Sequence, residues 1–240
     1  MYLALALLVR SASRTLRSQT LALEERSREL LESYRLLERS SFEAIESLNA
    51  TVDAKDPYTA GHSVRVQRIA VAIGVQLGLT EDELDSLGYA GLFHDIGKIA
   101  VPDAILSKPA PLTEDEWRLI RRHPIDGAEI AGRLGRLRGT VPLIRHHHER
   151  WDGSGYPDGL ARETIPLAAS VVGIADAWDA MTTDRPYRSA MSDEEAAREI
   201  RDGSGTQFAP LVVAAFFTTF AARPEQFAAG QPAVSVLAAG

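Results

Sequence analysis

Cysteine is absent from all 240 residues, which removes disulfides, zinc–thiolate clusters and iron–sulfur ligation from consideration. Any metal held by this chain must be held by histidine and carboxylate. A basic excess is missing too. The formal net charge is −7, which argues against a DNA- or RNA-binding protein, since that function needs a basic face. A small anionic substrate would need cations gathered locally against this acidic background. No apolar run reaches the roughly 20 residues that span a bilayer. Met1 to Val9 is far shorter, and no Lys or Arg precedes it as in a signal peptide. Arg10, Arg14 and Arg17 follow it, which suits the cytoplasmic end of a shortened membrane helix or an ordinary amphipathic helix start. The chain is read as cytoplasmic, with an upstream membrane or sensor segment left open. Strand-like alternation long enough to build a sheet is also lacking, so the expected fold class is all-α.

What remains is ordinary globular material, 45% hydrophobic and 25% charged. Neither Pro nor Gly occurs between residues 10 and 50, where Val9, Leu16, Leu23, Leu30 and Leu37 recur every seven residues. A leucine seam of that period suits a parallel coiled coil. Its second heptad position is poor, with Thr20, Ser27, Tyr34 and Ser41, so a helix packed on its own domain is the competing reading. Asp56-Pro57 breaks the pattern. The expected organisation is a signalling and dimerisation helix over 1–50, a folded domain over 51–222 and a loosely ordered tail over 223–240. Within the domain, Val66, Ile69, Ala70, Ile73 and Leu77 have helical spacing and predict a helix over 58–78. Thr80 to Glu83, Thr113 to Glu116 and Ser192 to Glu195 each match the capping box and predict helix starts near 81, 114 and 193. His123-Pro124 predicts the end of one helix and the start of the next. A further helix is predicted over 166–182, with Val171, Val172, Ile174 and Ala175 buried.

The chemistry concentrates at residues 146–157, H-H-H-E-R-W-D-G-S-G-Y-P, which holds half of the six histidines. Any one histidine on a helix is more often a satisfied core or surface residue than a ligand. Adjacent pairs are harder to dismiss. His94-Asp95 follows the apolar run Ala90 to Phe93, so both polar groups leave a buried helical face, where lacking partners would cost several kcal/mol. A metal would supply the partner. Mn²⁺, Fe²⁺ and Zn²⁺ accept mixed imidazole and carboxylate ligands. His62, His94, Asp95, His123, His147, His148 and Asp176 are too many for one closed tetrahedral site. They suit two divalent ions with positions left for water and substrate. Lys98, three residues beyond Asp95, would return to the same helical face.

Two motifs make the pattern specific. Residues 94–98 read H-D-I-G-K and match H-D-x-G-K; residues 147–157 match H-H-E-x-x-D-G-x-G-Y-P. Together they resemble the HD-GYP family of cyclic di-GMP phosphodiesterases, within the HD-domain phosphohydrolases, over about residues 56–216. The resemblance implies a helical bundle whose metal ligands are the seven residues just named, with Asp95 bridging two ions. Iron or manganese fits the ligand chemistry. It also implies that Lys98 lies beside the scissile phosphate and that Arg185 and Arg188 hold substrate phosphates. Gly155, Tyr156 and Pro157 would line the substrate side, a reading that the neighbouring His pair favours over plain turn and core roles. His146 is not a family ligand position. Two departures stand out. Tyr58 occupies a position where some members carry a Glu that helps hold a third metal, so two ions are expected. Ala209 replaces the usual Asp in the G-T-Q-F-A-P stretch of residues 205–210, which puts loop order in doubt before catalysis.

The expected activity is metal-dependent hydrolysis of cyclic di-GMP to pGpG, and onward to GMP, by a metal-activated water, in a homodimer joined through the N-terminal helix. Two rivals remain. One keeps the metals and changes the substrate to another cyclic dinucleotide or a nucleotide. The other is a non-catalytic cyclic di-GMP sensor or interaction module.

Overall fold

The computed structural model of the chain describes residues 2–55, 61–184 and 189–227. The chain divides into two units, Met1–Leu48 and Asn49–Gly240. One helix, α1 (Tyr2–Lys55), accounts for the first unit; with neither Pro nor Gly in its 54 residues, nothing in the sequence interrupts its hydrogen-bond ladder. Its seam residues Leu16, Leu23, Leu30 and Leu37 are 64%, 70%, 72% and 66% exposed.

In the second unit follow α2 (His62–Gln76), α3 (Glu81–Phe93), α4 (Asp103–Leu106), α5 (Glu114–Ile120) and α6 (His123–Gly132). After them come α7 (Val141–His146), α8 (Leu167–Thr182), α9 (Asp193–Asp202) and α10 (Pro210–Ala222), with short 3₁₀ turns at Ile96–Ala100, Gly135–Thr140, Arg162–Thr164 and Pro224–Phe227. No strand occurs among the described residues; the only extended pairing there is an isolated bridge between Ser204 and Phe208. The architecture is all-helical, as expected.

Local chemistry sets the boundaries. α3, α5 and α9 begin where Thr80, Thr113 and Ser192 each accept from the backbone N–H three residues on, while Glu83, Glu116 and Glu195 reach back to the cap. Pro124 lies in the first turn of α6, where its missing N–H costs nothing. Val66, Ile69, Ala70 and Ile73 of α2 are fully buried against α3 and α8. α8 turns Val171, Val172, Ile174, Ala175 and Trp178 inward. The Trp178 ring meets Phe216, Phe220 and Phe227 at centroid distances of 5.2, 5.1 and 5.8 Å. Truncating such a buried ring typically costs about 3–5 kcal/mol. This cluster pins α8 and so fixes the register of the polar residues on its other face.

Gly97 explains a second close approach. A Cβ there would fall onto the His123 carbonyl and the Gly127 nitrogen. Only glycine lets the 96–100 turn lie flat on the start of α6, which brings His94, Asp95 and His123 together. Tyr58 and the tail alternation at 234–237 lie outside the described residues.

Candidate metal centre

His94 closes α3, Asp95 opens the 3₁₀ turn, His123 opens α6, His147 and His148 follow the last turn of α7, and Asp176 faces them from α8. His62, the first residue of α2, completes the set. All seven sequence-predicted ligands thus converge from five helices and a turn. Their donor atoms fall into two groups, each with all atoms within 4.8 Å of one another: Asp95, His123, His147 and His148; and His62, His94 and Asp95. Asp95 belongs to both, and it does so with different oxygens. Its Oδ1 lies 3.2 Å from His123 Nε2, and its Oδ2 lies 3.5 Å from His94 Nε2. Asp176 Oδ1 joins the second group, 3.3 Å from His62 Nε2 and 3.9 Å from His94 Nε2.

Ring orientation is fixed from behind. His94, His123 and His147 each donate Nδ1–H to the carbonyl three residues back, on Gly91 (2.9 Å), Ile120 (2.7 Å) and Ile144 (2.7 Å). That bond sets the tautomer and leaves the Nε2 lone pair facing inward. His147 Nε2 is buried and has no hydrogen-bond partner, and His123 Nε2, with Nδ1 donating to Ile120, turns its lone pair toward Asp95 Oδ1; both arrangements are costly in a protein interior unless a cation binds there. Burial and the neighbouring His148 and His94 rings push His147 well below the usual imidazole range. Burial and His123 bring His148 down to about 3. Both rings are therefore neutral lone-pair donors at physiological pH. His62 differs. Burial works against its charge, but Asp176 and Asp179 overcome this and raise it to about 10. A field that holds a proton there would hold a cation equally. Burial opposes ionisation of Asp95, yet Lys98 and His94 keep its carboxyl well below the ordinary range. Burial likewise opposes ionisation of Asp176, and the His62 bond outweighs it. Ionised carboxylates, neutral imidazoles and orphaned inward nitrogens are the donor set a pair of divalent ions takes.

Lys98 Nζ lies 2.6 Å from Asp95 Oδ2. The expected three-residue return of Lys98 onto Asp95 is made by the 3₁₀ turn rather than by an α-helix, whose continuation would carry the chain away from α6. His146 turns elsewhere, with Nε2 3.0 Å from Asp158 Oδ2, and Arg145 grips that same carboxylate with two nitrogens. Arg185 and Arg188 lie outside the described residues.

The loop that follows the histidine pair is tied down from within. Glu149 is buried and accepts from the Asp158 and Leu160 nitrogens at 2.7 and 3.1 Å. Asp152 Oδ1 accepts from both Ser154 N and Ser154 Oγ. Gly155 packs so closely on the Glu149–Arg150 backbone that a Cβ would overlap it, so its lack of a side chain has a packing reason. Tyr156 places its ring 4.8 Å from that of His148, and Pro157 follows it in the chain. Burial, then Asp176 and Asp95, push the Tyr156 phenol up, so it stays a neutral O–H. A cleft of about 280 Å³ opens beside the centre, walled by His148, Tyr156, Asp176, Gln207 and Ala209 among others.

Three contributors escaped the sequence reading. Asp179 backs His62, Arg65 grips Asp179, and Arg121 stands 5.9 Å from the Tyr156 ring and 5.7 Å from that of Trp117. The first two were detectable: Asp176/Asp179 and His62/Arg65 are i,i+3 pairs, each on one face of a helix. Arg121 carries no such local signal.

Residues 46–212 match the HD domain family model. The cyclic di-GMP phosphodiesterase response regulator RpfG of Xanthomonas campestris pv. campestris is 37% identical over 231 residues, covering 90% of this chain and 60% of that protein. A cyclic di-GMP phosphodiesterase of Pseudomonas aeruginosa is 45% identical over 162 residues, covering 67% of this chain and 39% of its own. Among solved structures, a Vibrio cholerae cyclic GMP-AMP specific phosphodiesterase superposes with a TM-score of 0.62 at 23% identity, covering 77% of this chain and 49% of the other. At that identity the likeness concerns the fold. The chain spans about half the length of the curated relatives it matches.

Proposed function

Because this chain belongs to the HD-domain family, we propose that it is a metal-dependent phosphodiesterase that opens cyclic di-GMP to pGpG, with GMP as the product of a second cleavage. The observation that carries this reading is Asp95, which offers separate oxygens to two groups of histidines. His62, His94 and Asp176 would hold one divalent ion, and His123, His147 and His148 the other, with Asp95 between them and iron or manganese as the fitting metals. When bound, such ions acidify water and neutralise phosphate charge.

The chain's own residues do the remaining work. Carbonyl anchors hold the rings in place before any ligand arrives, so little reorganisation is required. Lys98, poised on Asp95, is placed to meet a non-bridging phosphate oxygen. Arg121 adds a cation across the Tyr156 ring, and Arg185 and Arg188 are assigned to substrate phosphates. Gly155, Tyr156 and Pro157 are assigned to the substrate side, with Tyr156 presenting a neutral hydroxyl beside His148. In an acidic protein these cations make one local attractor for a phosphodiester. We further assign residues 1–50 to a dimerising signal helix, 51–222 to the hydrolase domain and 223–240 to a tail, in a cytoplasmic setting. Among the described residues no helix is long and apolar enough to cross a membrane.

The test is to load the chain with Mn²⁺ or Fe²⁺, anaerobically for iron, incubate it with cyclic di-GMP and separate the products. pGpG or GMP is expected; neither forming under any of these conditions would reject the assignment. A Vibrio cholerae relative named as a 3′3′-cGAMP-specific phosphodiesterase, 36% identical over 183 residues, favours a second substrate reading. Running 3′3′-cGAMP and cyclic di-AMP in parallel decides between them by relative kcat/KM.

A further inference from the structure

The histidines of the centre are not anchored alike. His94, His123 and His147 lean on neutral backbone carbonyls that come with the local fold. His62 stands at the first residue of α2, preceded by Gly61 in the left-handed conformation, and its Nδ1 meets a carboxylate instead. The partner is Asp179 Oδ2, at 2.7 Å, one helical turn beyond Asp176 on α8. Asp179 is buried, and a buried lone carboxylate is expensive. Arg65, one turn along α2 from His62, offsets this with a two-nitrogen grip: Nε to Oδ1 at 2.5 Å and Nη2 to Oδ2 at 2.9 Å. Burial alone cannot explain such a pair, since apolar residues would fill the space at lower cost. A carboxylate behind an imidazole fixes its tautomer and strengthens the nitrogen opposite as a donor. That nitrogen, Nε2, faces Asp176 and His94.

We propose that Asp179 and Arg65 are a positioning pair that makes cation binding at the His62–His94 group depend on a buried charge behind His62, while in the other group His123 and His147 are backed by neutral carbonyls. The two ions are then held unequally, each by a different kind of support. This rests on the two-ion reading above. It assigns Asp179 no contact with substrate or metal.

The experiment titrates the chelator-stripped full chain with Mn²⁺ alone and counts free ion by electron paramagnetic resonance. Wild type should take up two ions in two steps. Asp179→Asn keeps the shape and an acceptor but removes the charge. It should weaken one step on the order of 10–100-fold and leave the other within about twofold. Arg65→Gln should weaken the same step in the same direction. Circular dichroism melts of the metal-free variants separate this from general damage, and if Asp179→Asn does not fold, Arg65→Gln decides alone. Equal weakening of both steps, or an unchanged isotherm in a folded variant, overturns the proposal. A wild type that binds one ion would instead remove the two-ion reading and the inference with it, before any substitution is made.

Discussion

At the scale of single residues, the centre depends on which nitrogen of each ring faces inward. Backbone carbonyls decide this for three histidines, and Asp179 decides it for His62. Outside the ligand set, Arg121 is the residue whose role is most open to test. Its guanidinium lies over Tyr156, and Tyr156 lies over His148. Arg121→Ala is expected to raise KM for cyclic di-GMP on the order of tenfold, the worth of one charged hydrogen bond, with kcat little changed. Steady-state kinetics check this, and an unaltered KM would remove Arg121 from the site. The histidines and Asp95 were legible in the sequence because they occur in adjacent pairs within long motifs. Arg121 was not, and the motif that holds Glu149 gave the residue without its task. One acts through a neighbour brought close only by folding, and the other staples the loop with backbone bonds that no spacing announces.

At the scale of elements, the helix starts were the most readable feature, because a capping box is a local interaction written in four residues. The 3₁₀ turn at Ile96–Ala100 was not readable as such, since contact with α6 through Gly97 selects it. The caps also predict a pH dependence. The Thr80 and Ser192 N–H groups hold Glu83 and Glu195 below the usual range, and Lys108 followed by the Thr113 N–H does so for Glu116. A depressed folded-state value means stability that is complete above the unfolded value of about 4.3 and lost as pH falls through the folded one. Replacing all three with Gln should flatten the fall in melting temperature between roughly pH 5 and pH 3, measured on metal-free protein. An unchanged slope would contradict the assignment. α10 presents the opposite case. Its cap residue, Ala209, has no side-chain acceptor, and Pro210 follows in the first turn. The sequence departure from Asp is thus a missing helix cap. Ala209→Asp should add about 1 kcal/mol and raise the melting temperature by roughly 2–4 °C. No gain would mean that the loop does not present position 209 to the helix N–H groups.

At the scale of the whole molecule, the most conspicuous feature among the described residues is the leucine seam along α1. Leu23 and Leu30 are 70% and 72% exposed, a costly display for a helix that works alone. Replacing both with Gln should shift the mass seen by light scattering from dimer toward monomer, and an unchanged mass would count against pairing through this seam. The seam's period was legible in the sequence, whereas a partner for it is not written there. The proposed activity, hydrolysis of cyclic di-GMP, is proposed to depend on two bound ions. Its most direct test follows metal per chain by elemental analysis and cyclic di-GMP turnover together, as stripped protein is reconstituted. pGpG formation should appear as the content approaches two ions per chain and vanish in Asp95→Asn. Full turnover in metal-free protein, or none at two ions per chain, would contradict the account.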